Sequence, residues 1–87
     1  VAMARRSDTT PFPERARSLT PRQVGQPVTQ AETPIPVRTW ILTVRGEERE
    51  VDAEAIAWTP RAVRVAYTDK FGRLDTAWVW ASAVRRR

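Results

Sequence analysis

Val63-Arg64-Val65-Ala66-Tyr67-Thr68-Asp69-Lys70-Phe71-Gly72-Arg73-Leu74-Asp75-Thr76-Ala77-Trp78-Val79-Trp80-Ala81-Ser82-Ala83-Val84 is the stretch whose reading decides the fold. Val63, Val65 and Tyr67 alternate with Arg64, Ala66 and Thr68. Leu74, Thr76, Trp78 and Trp80 alternate with Asp75, Ala77, Val79 and Ala81. Period-two alternation in β-branched and aromatic residues is the signature of a strand. Asp69 to Arg73 has the length of a hairpin loop, and Gly72 supplies a residue free to take positive φ. The stretch therefore reads as two antiparallel strands, onto which the rest of the chain folds.

Working outward on the N-terminal side, Thr59-Pro60 breaks whatever precedes the hairpin. Arg49 to Trp58 has two readings. A strand with a bulge near Asp52 or Ala53 reconciles Val51, Ala53, Ala55 and Ala57 with Ile56 and Trp58, which have the other parity. A short helix over residues 52–57 competes, since Asp, Ala and Glu favour helices. Gly46-Glu47 is a turn, and Val37 to Arg45 is the first strand. Trp40, Leu42 and Val44 fall on one of its faces, and Thr39, Ile41 and Thr43 on the other. The expected core is Trp40, Leu42, Val44, Val63, Val65, Tyr67 and Trp78, with Ile56 and Val84 closing its ends.

Residues 1–36 differ in composition. They hold six of the seven prolines and one aromatic residue, Phe12. So little apolar surface does not offset the entropy of ordering the chain, and a disordered Pro-rich arm is expected. Thr20-Pro21-Arg22-Gln23 is a local exception, a capping residue before a proline suited to a first helical turn. Gly25 and Pro27 limit that helix to one turn. The expected division is an arm over 1–36 and a domain over 37–87.

The last stretch carries a resemblance. Trp78-Val79-Trp80-Ala81-Ser82-Ala83-Val84 resembles the hydrophobic-Pro-Ser-Asn-Tyr-Val closure of SH3-like barrels, with Trp80 at the Pro position and Ala83 at the Tyr position. The resemblance implies an all-β, small five-stranded SH3-like barrel, with residues 81–83 as a 3₁₀ turn into the fifth strand. The acidic and aromatic opening motif of peptide-binding SH3 domains is absent, so their proline-peptide mode is not implied. Relatives of that group include Tudor-type and DNA-binding barrels. The chain also resembles small basic actinobacterial or actinophage proteins.

Composition excludes much chemistry. The chain has no Cys and no His, which removes disulfides, thiolate zinc sites, Cys nucleophiles and His acid–base catalysis. Its three glycines are isolated, so it has no phosphate-binding loop. Glu47, Glu48 and Glu50 cluster on a turn, where a solvated surface accounts for them. No enzyme activity, cofactor, metal site or small-molecule substrate is expected. No apolar run approaches the roughly 20 residues of a membrane span. Arg5-Arg6 precede no apolar core, so a cytoplasmic protein without a signal peptide is expected.

What remains is binding. The net charge is +5, with 15 basic residues against 10 acidic. Arg61, Arg64, Lys70, Arg73, Arg85, Arg86 and Arg87 lie in or beside the hairpin and form the expected nucleic-acid surface, for DNA or RNA. Asp69 and Asp75 interleave with them, and a solvated basic surface is the competing reading. Trp58, Phe71 and Trp80 are the expected interface residues of the alternative function, a protein partner or homodimer docked through exposed aromatics. Burial of all four Trp in the core is the reading against that one.

Overall fold

The computed structural model of the protein describes residues 15–69 and 71–87. The fold is all-β. β1 (Thr29–Leu42), β2 (Glu48–Trp58), β3 (Ala62–Thr68), β4 (Leu74–Trp80) and β5 (Val84–Arg86) form one antiparallel sheet of order β4-β3-β2-β1-β5. A single 3₁₀ turn, Ala81–Ala83, leads into β5. This order and this turn are compatible with an SH3-like barrel. The hairpin forms as its alternation dictates. β3 and β4 pair from Ala62↔Trp80 to Thr68↔Leu74, and Gly72 takes φ 77° in the loop.

The Arg49–Trp58 ambiguity resolves as a strand. Its bulge lies at Ile56, where Ala55↔Val65 is followed by Ala57↔Arg64, and not near Asp52. A larger irregularity sits in β1. The register advances from Gln30 to Ile35 on β1 while β2 moves only from Ala57 to Ala55. Pro34 falls in this bulge, where its missing N–H breaks no ladder.

The folded part starts well before residue 37. β1 begins at Thr29, and Ala16 is buried in the core and bridges to Thr43. The expected arm is thus built into the fold from Arg15 onward, while residues 1–14 lie outside the described residues. Within it, α1 (Pro21–Val24) is the expected single turn. Thr20 Oγ1 accepts from Gln23 N and Gln23 Oε1 accepts from Thr20 N, a capping box.

The core also has a different membership from the expected one. β1 turns Val37, Thr39 and Ile41 inward, followed by Thr43, and leaves Trp40 and Leu42 exposed. β4 turns Asp75, Ala77 and Val79 inward; Trp78 is half-buried and Trp80 exposed. Ala53, Ala55 and Ala57 come from β2, and Val65 and Tyr67 from β3 as expected. Val63 and Val84 pack partly against this cluster, while Val44 and Ile56 are half-buried outside it. The physical reason is volume. The largest fully buried side chains are Val65, Thr39 and Thr43, so the interior of this small sheet leaves little room for a Trp. On β1, β2 and β4 the face carrying the smaller residues goes in, while β3 buries Tyr67.

Candidate functional site

Five residues before α1 create the site. Arg15 to Leu19 run between the C-terminal end of β1 and the edge strand β4. Arg17 N donates to Leu42 O (2.6 Å) and Val44 N to Arg15 O (2.8 Å) on one side. Leu19 N donates to Trp78 O (2.9 Å) and Trp78 N to Ser18 Oγ (2.9 Å) on the other. The segment thereby joins strands that the sheet order leaves apart.

A buried polar pin holds it. Asp75 Oδ2 accepts from Ala16 N (2.8 Å) and from the Tyr67 hydroxyl (2.6 Å). Burial, and then the Asp75 hydrogen bond, push the Tyr67 hydroxyl well above the ordinary tyrosine range. α1 is pinned in turn by Thr59, whose hydroxyl donates to Val24 O (2.6 Å) and accepts from Ala62 N (3.1 Å). Satisfying these buried groups internally is what permits an irregular segment to lie against the barrel.

The outer surface along this seam is a groove of about 410 Å³. Its walls are Leu19, Trp40, Leu42, Trp78 and Trp80, with Arg17 at the rim and Ala83 from the 3₁₀ turn at one end. Trp40 is 52% exposed and Trp80 44%. Arg17 directs Nη2 to Val44 O at 3.2 Å. Three of the four Trp of the chain thus line one external groove. Of the expected interface set, Trp80 belongs to it. Trp58 is half-buried beside Ile35, Val63 and Val84. Phe71, 67% exposed, lies in the β3–β4 loop under the Arg73 guanidinium, 4.8 Å from its ring centroid. Sequence reading missed Trp40, Trp78, Leu42, Leu19 and Arg17 as groove residues. The available signal was in β1, where the face of Val37, Thr39 and Ile41 carries smaller residues than that of Trp40 and Leu42.

The expected cationic surface is dispersed, and several of its members are engaged. Arg73 is held by Asp69 at 2.7 Å in the loop. Burial raises the Asp69 carboxyl, but the Arg73 and Phe71 N–H groups and the Arg73 side chain outweigh it and hold the pKa below the usual range. Arg85 reaches Glu50 (3.4 Å), which also meets Arg38 (3.2 Å). Arg87 donates to Val37 O and Ala53 O (3.0 Å each), with Asp52 at 3.9 Å. The Arg61 side chain lies against Gly25. Arg64 is exposed on β3, opposite Trp78, and Arg86 is exposed on β5 opposite Val37. Lys70 lies outside the described residues.

Among the described residues no group of three or more carboxylates gathers in a way that holds a metal ion, and no helix is long and apolar enough to cross a membrane. In comparisons with known proteins, no family model, no curated protein and no solved structure matches the chain.

Proposed function

We propose that the protein is a non-catalytic recognition module that binds a protein partner in the groove of Trp40, Trp78 and Trp80. One observation carries the reading. Strands β1 and β4 put their small residues inside and their Trp outside, and the Trp converge on a single groove. Contiguous exposed aromatic surface of this kind marks an interaction site, and Trp is the commonest anchor of such sites. The chain has no His or Cys, and Ser18 Oγ in the groove is already bonded to Trp78 N, which supports binding over catalysis.

Nucleic-acid binding through Arg61, Arg64, Lys70, Arg73 and Arg85 to Arg87 has less support. A phosphate track needs cations along one surface. Here Arg73 sits in the β3–β4 loop, Arg64 on β3, and Arg85 and Arg87 among the carboxylates of β2. A library of displayed peptide segments, read by Trp fluorescence, separates the two readings. Binders lost in Trp40→Ala and Trp80→Ala but retained in Arg64→Ala are expected. Binders indifferent to both Trp substitutions, or salt-sensitive uptake of single-stranded DNA abolished by Arg64→Ala, overturn the proposal.

A further inference from the structure

We infer that the end of the core away from the Asp75 pin binds a small carboxylate with an apolar body. The inference is independent of the Trp groove. It concerns Trp58 and Arg86, which the groove leaves aside.

Two bulges build the site. In β2 the bulge at Ile56 sets Trp58 opposite Val63, and register partners share a face of a sheet. Val63 packs against the core cluster, so Trp58 is turned to the core side. In β1 the irregularity after Gln30 brings Ile35 opposite Ala55, which is buried. Bulges gather at the rims of barrels, where they re-aim side chains in this way. The result is a hollow of about 240 Å³. Val37 and Ala55, both buried, are its floor, and Ile35, Trp58, Val63 and Val84 are its walls. An apolar cavity of roughly 150 Å³ is already enough to take up benzene.

The charge at the rim selects the ligand. No carboxylate lines the hollow. Of the three arginines at the end of the chain, Arg85 reaches Glu50, and Arg87 is held by Val37 O and Ala53 O. Arg86 is different. It pairs with Val37 in the ladder, so its side chain leaves β5 on the side of the hollow, whose lining includes it. Among the described residues no ion pair or hydrogen bond holds its guanidinium. A free guanidinium beside an apolar hollow is complementary to a carboxylate carried on an apolar group, since the fork of N–H donors matches the two oxygens. A single cation provides no track for a polyanion. The buried floor makes the hollow a blind end, which admits one apolar group and not a chain passing through.

Titration of the full chain with 4-phenylbutyrate, followed by Trp fluorescence and by amide and indole N–H chemical shifts, tests this. Saturable binding is expected, with the shifts centred on Trp58, Val63 and Val84. Arg86→Gln weakens it about fivefold, the effect of one partly exposed charged contact. The same substitution leaves binding of the neutral 4-phenylbutanol unchanged. Val84→Phe fills the hollow and weakens both ligands by at least about tenfold, with thermal melts to show that the variant folds. If it does not fold, Ile35→Phe fills the same space from β1. Trp40→Ala leaves binding as it is, so the result is read independently of the groove. Absence of saturation overturns the inference. So does binding indifferent to Arg86→Gln or to the filling substitution, or shifts centred on Trp40 and Trp80. A peptide with an apolar C-terminal residue that binds here tenfold more tightly than 4-phenylbutyrate also overturns it, because the hollow then takes a chain end.

Discussion

The β3–β4 hairpin and the stretch from Arg15 to Val28 belong to the same barrel, yet they are ordered in opposite ways. The hairpin is ordered by itself. Its seven pairs run without interruption from Ala62↔Trp80 to Thr68↔Leu74, and Asp69 Oδ1 accepts from both Phe71 N and Arg73 N to close the loop. The earlier stretch has one capped turn of its own. Its other anchors are distant: Ala16 to Asp75, Ser18 to Trp78 and Val24 to Thr59, separated by 59, 60 and 35 residues. The candidate groove exists only where the two meet beside β1, because Leu19 and Arg17 come from one, Trp78 and Trp80 from the other, and Trp40 and Leu42 from β1. A local element thus supplies one side of the groove and a docked one another, with β1 between them.

Truncation breaks the comparison most severely. A chain starting at residue 37 loses Ala16 from the core, α1, and the Thr29–Pro36 part of β1 with its pairing to β2. A free disordered arm would leave the melt nearly unchanged. For the observed fold, loss of a cooperative transition by circular dichroism and calorimetry is expected, because a domain this small has little stability in reserve. Asp75→Ala attacks the joint without removing the segment. It strands two buried donors, the Ala16 N–H and the Tyr67 hydroxyl. A loss of about 3 kcal/mol in urea unfolding is expected. Asp75→Asn, which keeps an acceptor, should lose about half as much. If both substitutions are neutral, the segment is not held through this carboxyl.

What was legible in the sequence follows the same division. The hairpin, the single capped turn at Thr20, the break at Thr59-Pro60 and the turn into β5 are all written in residues near one another. The inner face of β1 was not legible in that way. Trp40 and Leu42 outrank Thr39 and Thr43 in hydrophobicity, yet Thr39 and Thr43 are fully buried. Hydrophobicity favours the larger residues, and the narrow interior overrides it. The role of residues 15–28 was less legible still. A segment poor in apolar residues normally remains disordered. This one is ordered because its backbone groups find partners on strands far along the chain, and nothing in its own composition announces them. The basic residues were easy to count, but their engagement by Glu50, Asp52 and Asp69 depends on register.

The mildest test acts on Tyr67, which holds the Asp75 carboxyl of the joint from within the hairpin. Burial and the Asp75 bond favour its protonated form in the folded chain. Its pKa is therefore higher folded than unfolded, and the associated stability is intact below the unfolded value of about 10. Above that pH the unfolded chain releases the proton while the folded chain keeps it, so stability must fall. The slope is about 1.4 kcal/mol per pH unit until the folded pKa is reached. Urea midpoints should therefore decline from about pH 10 upward in the wild type. In Tyr67→Phe this alkaline slope should shrink, although the variant starts lower at neutral pH by about 1 kcal/mol for the hydrogen bond it lacks. Equal slopes in the two proteins would mean that the hydroxyl ionises as freely in the folded chain as in the unfolded one. The pin between the hairpin and the N-terminal segment would then rest on Ala16 alone.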